Sequence, residues 1–425
     1  MFDPSLTEAY LAILKEELLP ATGCTEPIAI AYCAAVLRKT LGSLPQRVEA
    51  VCSGNIIKNV KSVVVPNTGG LKVIPAAISA GLAAGDADAG LQVISHVTPE
   101  QKQEIRRCLE QTPMEIRCGT SPCLLDIALY GFHGPNSAMV RITNHHTNIV
   151  HIEKNGQVSL DLPIVASAED HLQDKSVLDL RGIVAFADSV DPRRLQPLLE
   201  PQIQLNSAIA EEGLQGNWGA QIGKLLLEED PEDIRNQARA YAAAGSDARM
   251  SGCEMPVVIL SGSGNQGITA SLPVIRYAKH IGATQQQLYR ALAVADLTTI
   301  HQKTGIGRLS AYCGAISAGV GAGAGVAYLL DGSEDAVAHT VVNAVAILSG
   351  TICDGAKPSC AAKIASAVEA GLLGFRMYRH HNQFRTGEGI VGTSAESTIA
   401  NVGVLASQGM HETDQTILQI MQETC

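Results

Sequence analysis

The chain has 425 residues, 46% hydrophobic and 17% charged, with 31 Lys plus Arg against 42 Asp plus Glu and a net charge of −11. That length supports two or three domains with ample core, and the composition excludes a disordered chain. So acidic a balance, with no Lys/Arg cluster, argues against nucleic acid or an anionic membrane as partner.

The opening "MFDPSLTEAYLAILKEELLP" lacks a basic start and interrupts its apolar residues with charges, so it does not read as a signal peptide, and the expected location is cytoplasmic. Thiols stay reduced there, so eleven cysteines point to ligands or reactive thiols before disulfides. Residues 1–45 read as helical. Ser5 is an N-cap candidate with Glu8 three residues on, Pro27 stands where proline favours a first turn, and Gly42 stands where helices stop. From about 46, "RVEAVCSGNIIKNVKSVVV" alternates and is Val-rich, which suits strands. "PNTGG" is a turn, an Ala-rich helix follows to about 95, and "TPEQKQEIRRCLEQ" reads as an exposed helix. Between 114 and 162 strands return, with "GPNS" and "KNGQ" as turns. The pattern predicts an α+β protein, in which an α/β domain (46–162) is inserted into a mostly helical, Gly/Ala-rich catalytic domain (1–45 and 163–425). The uncharged run at 311–330 is mostly Gly and Ala and is bounded closely by charges. A close-packed buried helix is expected there in preference to a membrane span.

Several stretches carry chemistry. "CDGAKPSC" (353–360) brackets an Asp-Gly turn with Cys353 and Cys360, and Cys313 lies upstream in "LSAYC". The spacing is neither the CxxC of zinc ribbons nor that of small ferredoxins, so metal or cluster ligation, a disulfide and plain core filling all stand open. In "GCTEP" (23–27), Cys24 falls at a helix N-terminus, where the dipole favours a thiolate acting as base or nucleophile. The alternative is a packed turn cysteine, with Glu26 a first-turn charge or a proton-transfer partner. "SGSGNQGI" (261–268) joins an apolar run to a helix. Ser261, Ser263, Gly264, Asn265 and Gln266 form a carboxylate cradle in preference to a dinucleotide loop, although Gly262, Gly264 and Gly267 satisfy GxGxxG. Asn55, Lys58 and Asn59 stand among apolar residues, with Lys58 either on a solvent face or gripping a carboxylate. In "NHHTNIVHIE", read as strand, His145 and His146 cannot face one site, while His145 and His151 share parity. Asp247 and Arg249 are expected as a loop ion pair or substrate contact. Cys425 is a tail thiol that could reach an open metal position. No G-x-S-x-G or H-E-x-x-H motif occurs, and no lysine is marked for pyridoxal phosphate.

Taken in order, "GCTEP", "SGNIIKNV" with "VPNTG", "HTNIVHIE", "SDARM", "SGSGNQGI", "LSAYC" and "CDGAKPSCAAK" resemble the L-cysteine desulfidase family, itself related to the alpha chain of iron–sulfur L-serine dehydratases. The resemblance spans nearly the whole chain, with one departure: Asn67 stands where relatives tend to have glycine. It implies an oxygen-sensitive 4Fe–4S cluster held by Cys313, Cys353 and Cys360 and acting as a Lewis acid. Cys24 is implied as base, or as a further ligand, beside Glu26. Asn55, Lys58, Thr68 and the 261–266 loop would hold an amino-acid substrate. The implied reaction converts L-cysteine to pyruvate, ammonia and hydrogen sulfide. L-serine deamination is the alternative, and a non-catalytic iron–sulfur or amino-acid sensor is the reading of another class. A homodimer is left open.

Overall fold

The computed structural model describes residues 3–164, 173–307 and 310–423. In chain order its elements begin with α1 (Pro4–Glu17), β1 (Leu19–Thr22), α2 (Thr25–Leu41), β2 (Arg47–Cys52), α3 (Gly54–Val60), α4 (Val73–Ala84) and α5 (Pro99–Gln111). Strands β3 (Met114–Cys118), β4 (Asp126–His133), β5 (Asn136–Thr143), β6 (Ile149–Lys154) and β7 (Gln157–Asp161) follow. The remainder is helical apart from one strand: α6 (Leu180–Ser189), α7 (Pro192–Gln215), α8 (Ile222–Glu229), α9 (Ile234–Met250), β8 (Pro256–Ile259), α10 (Gly264–His280), α11 (Gln285–Ile306), α12 (Gly314–Leu330), α13 (Glu334–Ile347), α14 (Cys360–Arg379), α15 (Ala395–Val404) and α16 (His411–Glu423). The architecture is α+β, as the pattern of periods predicts.

Alternation builds the larger sheet, ordered β3-β2-β4-β5-β6-β7, with β2 and β3 parallel and the other pairs antiparallel. In β2, Val48, Ala50 and Cys52 face inward. They meet Ile127 and Leu129 of β4, Val140 and Ile142 of β5, and α2 and α4 in one apolar core. The β6–β7 hairpin turns on Asn155 and Gly156, both at positive φ, which suits a primed two-residue turn. Helix α2 contributes Ile28 to Leu41 to this core, although its sequence precedes residue 46. The second core is helical and centres on α12, whose glycines and alanines let neighbours approach on all sides. A Cβ on Gly323 would lie 2.6 Å from Gly371 O, and one on Gly371 2.2 Å from Gly319 O. Since Gly319 also meets Ala367, α12 and α14 run parallel. The contacts of Gly314 with Gln266 and of Gly325 with Val274 show that α10 runs parallel to α12 as well. Among the described residues no helix is long and apolar enough to cross a membrane.

Three local expectations change. "SGNIIKNV" is helical from Gly54, not strand, because Ile56 and Val60 recur four apart and bury on one side. Helix α1 is capped by Asp3, whose Oδ1 accepts from Ser5 N at 2.8 Å, because Pro4 supplies the first helical position and holds Asp3 extended. "SDARM" closes α9 and is buried, where a loop is expected.

A short antiparallel ribbon positions the site. β1 pairs with β8, Leu19 against Ile259 through Thr22 against Pro256. Because the strands are antiparallel, the chain leaves β1 into "GCTEP" and β8 into "SGSGNQG" at opposite ends of the ribbon, and the two motifs are drawn together by Thr25 Oγ1 donating to Gly262 O at 3.4 Å.

Candidate active site

A cavity of about 640 Å³ opens where the two cores meet. Cys24, Glu26, Asn55, Lys58, Ser261, Ser263, Asn265, Gln266, Cys313, Cys353 and Cys360 all line it. Thr68 and Gly264 are not among its lining residues. Thr68 Oγ1 instead donates to Val65 O at 2.7 Å and accepts from Leu71 N at 3.2 Å, fastening its own turn. Asn67 adopts φ 59° there, a conformation that asparagine tolerates in place of glycine. A Cβ on Gly264 would stand 2.3 Å from Arg249 Nε, so the missing side chain makes room for the guanidinium.

One wall carries the three thiols. Cys313 N donates to Thr351 O at 2.9 Å and Cys353 N to Ala311 O at 2.6 Å, an antiparallel bridge that clamps the two segments together. Cys313 caps α12, and Cys360 is the first residue of α14, its thiol 3.8 Å from Gly355 O. The parallel seam between α12 and α14 delivers these two N-termini to the same end of the bundle. Gly355 takes φ 95°, and a Cβ there would stand 2.4 Å from Lys58 O, so the Asp-Gly turn lies directly on α3. Asp354 anchors the turn: it pairs with Lys357 and, at 2.7 Å, with Lys363. Burial pushes its carboxyl up, but the two lysines outweigh that and hold it at about 2.

The thiols are electrostatically unequal. The Cys313 and Cys353 thiols act on each other as a hydrogen-bonding pair that raises the first and lowers the second. That bond, opposed by burial and helped by the Lys58 ammonium, brings Cys353 down to about 6, while Cys313 is pushed far up by the same bond and by burial. Burial also raises Cys360. Among the described residues no three His, Cys, Asp or Glu side chains could hold one metal ion together. Thiols that bind separate corners of a cluster need not crowd one ion. Three soft donors on one wall, one of them acidified, fit an iron–sulfur group.

Cys24, also on the cavity lining, is the N-cap residue of α2 and donates to Glu26 Oε2 at 3.0 Å. The thiolate favoured by the helix end is not the form these surroundings select: burial first, then the Glu26 charge, push the Cys24 thiol well up. Burial would raise Glu26 too, but His146, the Cys24 thiol and Arg249 outweigh it and lower the carboxyl. Asn59 Nδ2 donates to the other Glu26 oxygen at 3.2 Å. Arg249 is no ion-pair partner of Asp247. It donates to Gly23 O at 2.9 Å and to Asn265 Oδ1 at 3.2 Å, tying the "GCTEP" turn to the glycine loop, while Asp247 accepts from Gly223 N and is pushed up to about 6 by burial.

A family model described as serine dehydratase alpha chain matches residues 88–419. The chain belongs to the serine dehydratase alpha chain family. It is 54% identical over 418 residues to a UPF0597 protein of Desulfitobacterium hafniense, covering 98% of this chain and 97% of that one. A UPF0597 protein of Lachnoclostridium phytofermentans is 47% identical (96% and 98% covered), and one of Treponema denticola 44% (99% of each). A serine dehydratase-related chain is a lyase by family.

The cavity also takes in residues outside the cysteine and glycine-loop motifs. His145 and His146 lie in the turn between β5 and β6, not on a strand, so both reach the cavity, whereas His151 sits on β6 with Nδ1 3.0 Å from Asp161. Lys303, Tyr312 and, from the far C-terminal helix, His411 and Asp414 complete the wall. No local pattern marks Asp414 in the sequence, since its role depends on where α16 lands. Cys425 lies outside the described residues.

Proposed function

We propose that the chain is a lyase that eliminates hydrosulfide from L-cysteine, giving pyruvate, ammonia and hydrogen sulfide. The observation that carries this reading is the shared cavity, which is lined by the three thiols, the Cys24–Glu26 pair and the α10 N-terminus together. Cys313, Cys353 and Cys360 would hold a 4Fe–4S cluster, which when bound supplies Lewis acidity toward the substrate's β-substituent.

Lys58 and the free backbone N–H groups at the start of α10, backed by Ser261, Ser263 and Asn265, bind and orient the carboxylate. The Cys24–Glu26 pair carries one proton and one negative charge. At rest the proton stays on Cys24 Sγ; it passes transiently to Glu26, and the small thiolate population this leaves is a strong enough base to take the α-proton. The C–S bond breaks with its electron pair on sulfur, hydrosulfide leaves, and the released aminoacrylate tautomerises to an imine that water hydrolyses. The lowered Glu26 carboxyl keeps the charge that this transfer needs. Burial excludes competing water from Cys24, which is 4% exposed.

L-serine deamination by the same residues is the second reading, favoured by the description of the matching family model. Protein purified without oxygen is expected to be brown, to release sulfide and pyruvate from L-cysteine without added pyridoxal phosphate, and to lose its iron on Cys353→Ser. A colourless, folded protein that releases neither product overturns the reading. The ratio of kcat/KM for cysteine and serine decides between the substrates.

A further inference from the structure

Among the described residues lining the cavity there are two carboxylates, Glu26 and Asp414. Glu26 is committed to Cys24, Thr25 and Asn59. Asp414 holds the ammonium of Lys58, whose side chain is 1% exposed against 17% for Asp414. Both ends of this ion pair face the cavity, and the Lys58 charge is close enough to act on the Cys353 thiol. Helix α16 is pinned along α3, which fixes the carboxylate in place. Leu418 occupies the space that a side chain on Gly54 would need, 2.5 Å from its Cβ position, and Lys61 Nζ donates to Met421 O. One turn before Lys58 stands Asn55, 5% exposed, whose Oδ1 has no hydrogen-bond partner. Gln266 Oε1, also buried on the cavity wall, has none either.

We propose that Asp414, with the Asn55 amide oxygen, is the seat of the substrate's α-ammonium group and restricts the site to zwitterionic α-amino acids. An α-amino acid carries the same two charges as the Lys58–Asp414 pair. On entry the pair exchanges partners: the substrate carboxylate takes Lys58 and its ammonium takes Asp414. An ammonium offers three hydrogens, which one carboxylate and the two unmatched amide oxygens can accept. A 2-hydroxy acid supplies no cation, so it separates Lys58 from Asp414 and leaves a desolvated carboxylate without a counter-charge, an expensive arrangement.

The inference rests on the lyase reading for its choice of amino acids, so it is tested by binding without turnover. L-alanine and L-lactate share one skeleton, and neither has a β leaving group. Anaerobically prepared full-length protein is titrated calorimetrically with each. Wild type is expected to bind L-alanine at least about tenfold tighter. Asp414→Asn should weaken L-alanine roughly ten- to a hundredfold while leaving L-lactate unchanged or tighter, and Asp414→Glu should keep the preference for alanine even if the Asn variant does not fold. Equal affinities in wild type, a preference retained in a folded Asn variant, an equal loss of both ligands there, or no alanine preference in the Glu variant would each overturn the assignment. A wild type that turns over cysteine or serine without preferring alanine sinks this seat alone. One that prefers alanine but eliminates nothing upholds the seat and sinks the lyase reading.

Discussion

Glu26 and Cys24 share one proton that rests on sulfur: burial and the Glu26 charge raise the thiol, while His146, the thiol hydrogen bond and Arg249 lower the carboxyl against burial. Replacing Glu26 by Gln keeps the shape and removes the proton's destination. We expect kcat to fall about 10²- to 10⁴-fold, with KM changed only about fewfold, in steady-state assays on protein of wild-type iron content. A second residue-scale consequence lies away from the cavity. Asp296 is fully buried in α11, accepts one hydrogen bond from Gln202 Nε2 at 3.0 Å, and is pushed up to about 7 by burial, partly offset by that bond. The unfolded chain releases this proton near pH ~4, whereas the native state keeps it to about 7. The stability contributed by Asp296 is therefore intact below about pH 4 and lost as pH rises through about 7, a change on the order of 4 kcal/mol. Thermal melts should fall less steeply from about pH 4 to about pH 7 in Asp296→Asn than in wild type.

At the scale of elements, the small-residue seam between α12 and α14 places two of the proposed ligands, because both helices begin at a cysteine wall and run the same way. Gly371→Ala puts a methyl group 2.2 Å from Gly319 O, so the helices must separate or shear. We expect a loss of about 1–3 kcal/mol, seen as a lower Tm, together with a lower iron content per chain. Surface Gly282, with open space around it, serves as the control: its alanine variant should retain its iron even if the left-handed turn is strained. The Gly/Ala composition of 311–330 announces a crowded helix, and the structure supplies the neighbours. "KNGQ" announces its hairpin equally well. The helix at 54–60 is hidden because Ile, Ile and Val suit either period over so short a run, and only the facing core decides between them.

At the scale of the molecule, we propose that the sheet unit is an insertion into the helical body. The sequence marks the change of texture at 46 but not the allegiance of α2, whose Ala-rich, nearly uniform apolarity gives no sign of which core it will enter. That Cys313, Cys353 and Cys360 line one cavity was legible where several motifs run in order. A residue's place on the cavity was illegible where it depends on long-range placement, as with Asp414, or where a turn replaces an expected strand, as with His146.

The β1–β8 ribbon joins residues at the start of the chain to residues past its middle: Thr25 Oγ1 reaches Gly262 O at 3.4 Å across 237 positions. During synthesis Cys24 therefore emerges long before the loop that will flank it, and Cys353 and Cys360 emerge later still. A nascent chain that has not reached Cys360 carries Cys24 without its partners across the cavity, so the proposed site assembles only after the whole stretch between them has been made.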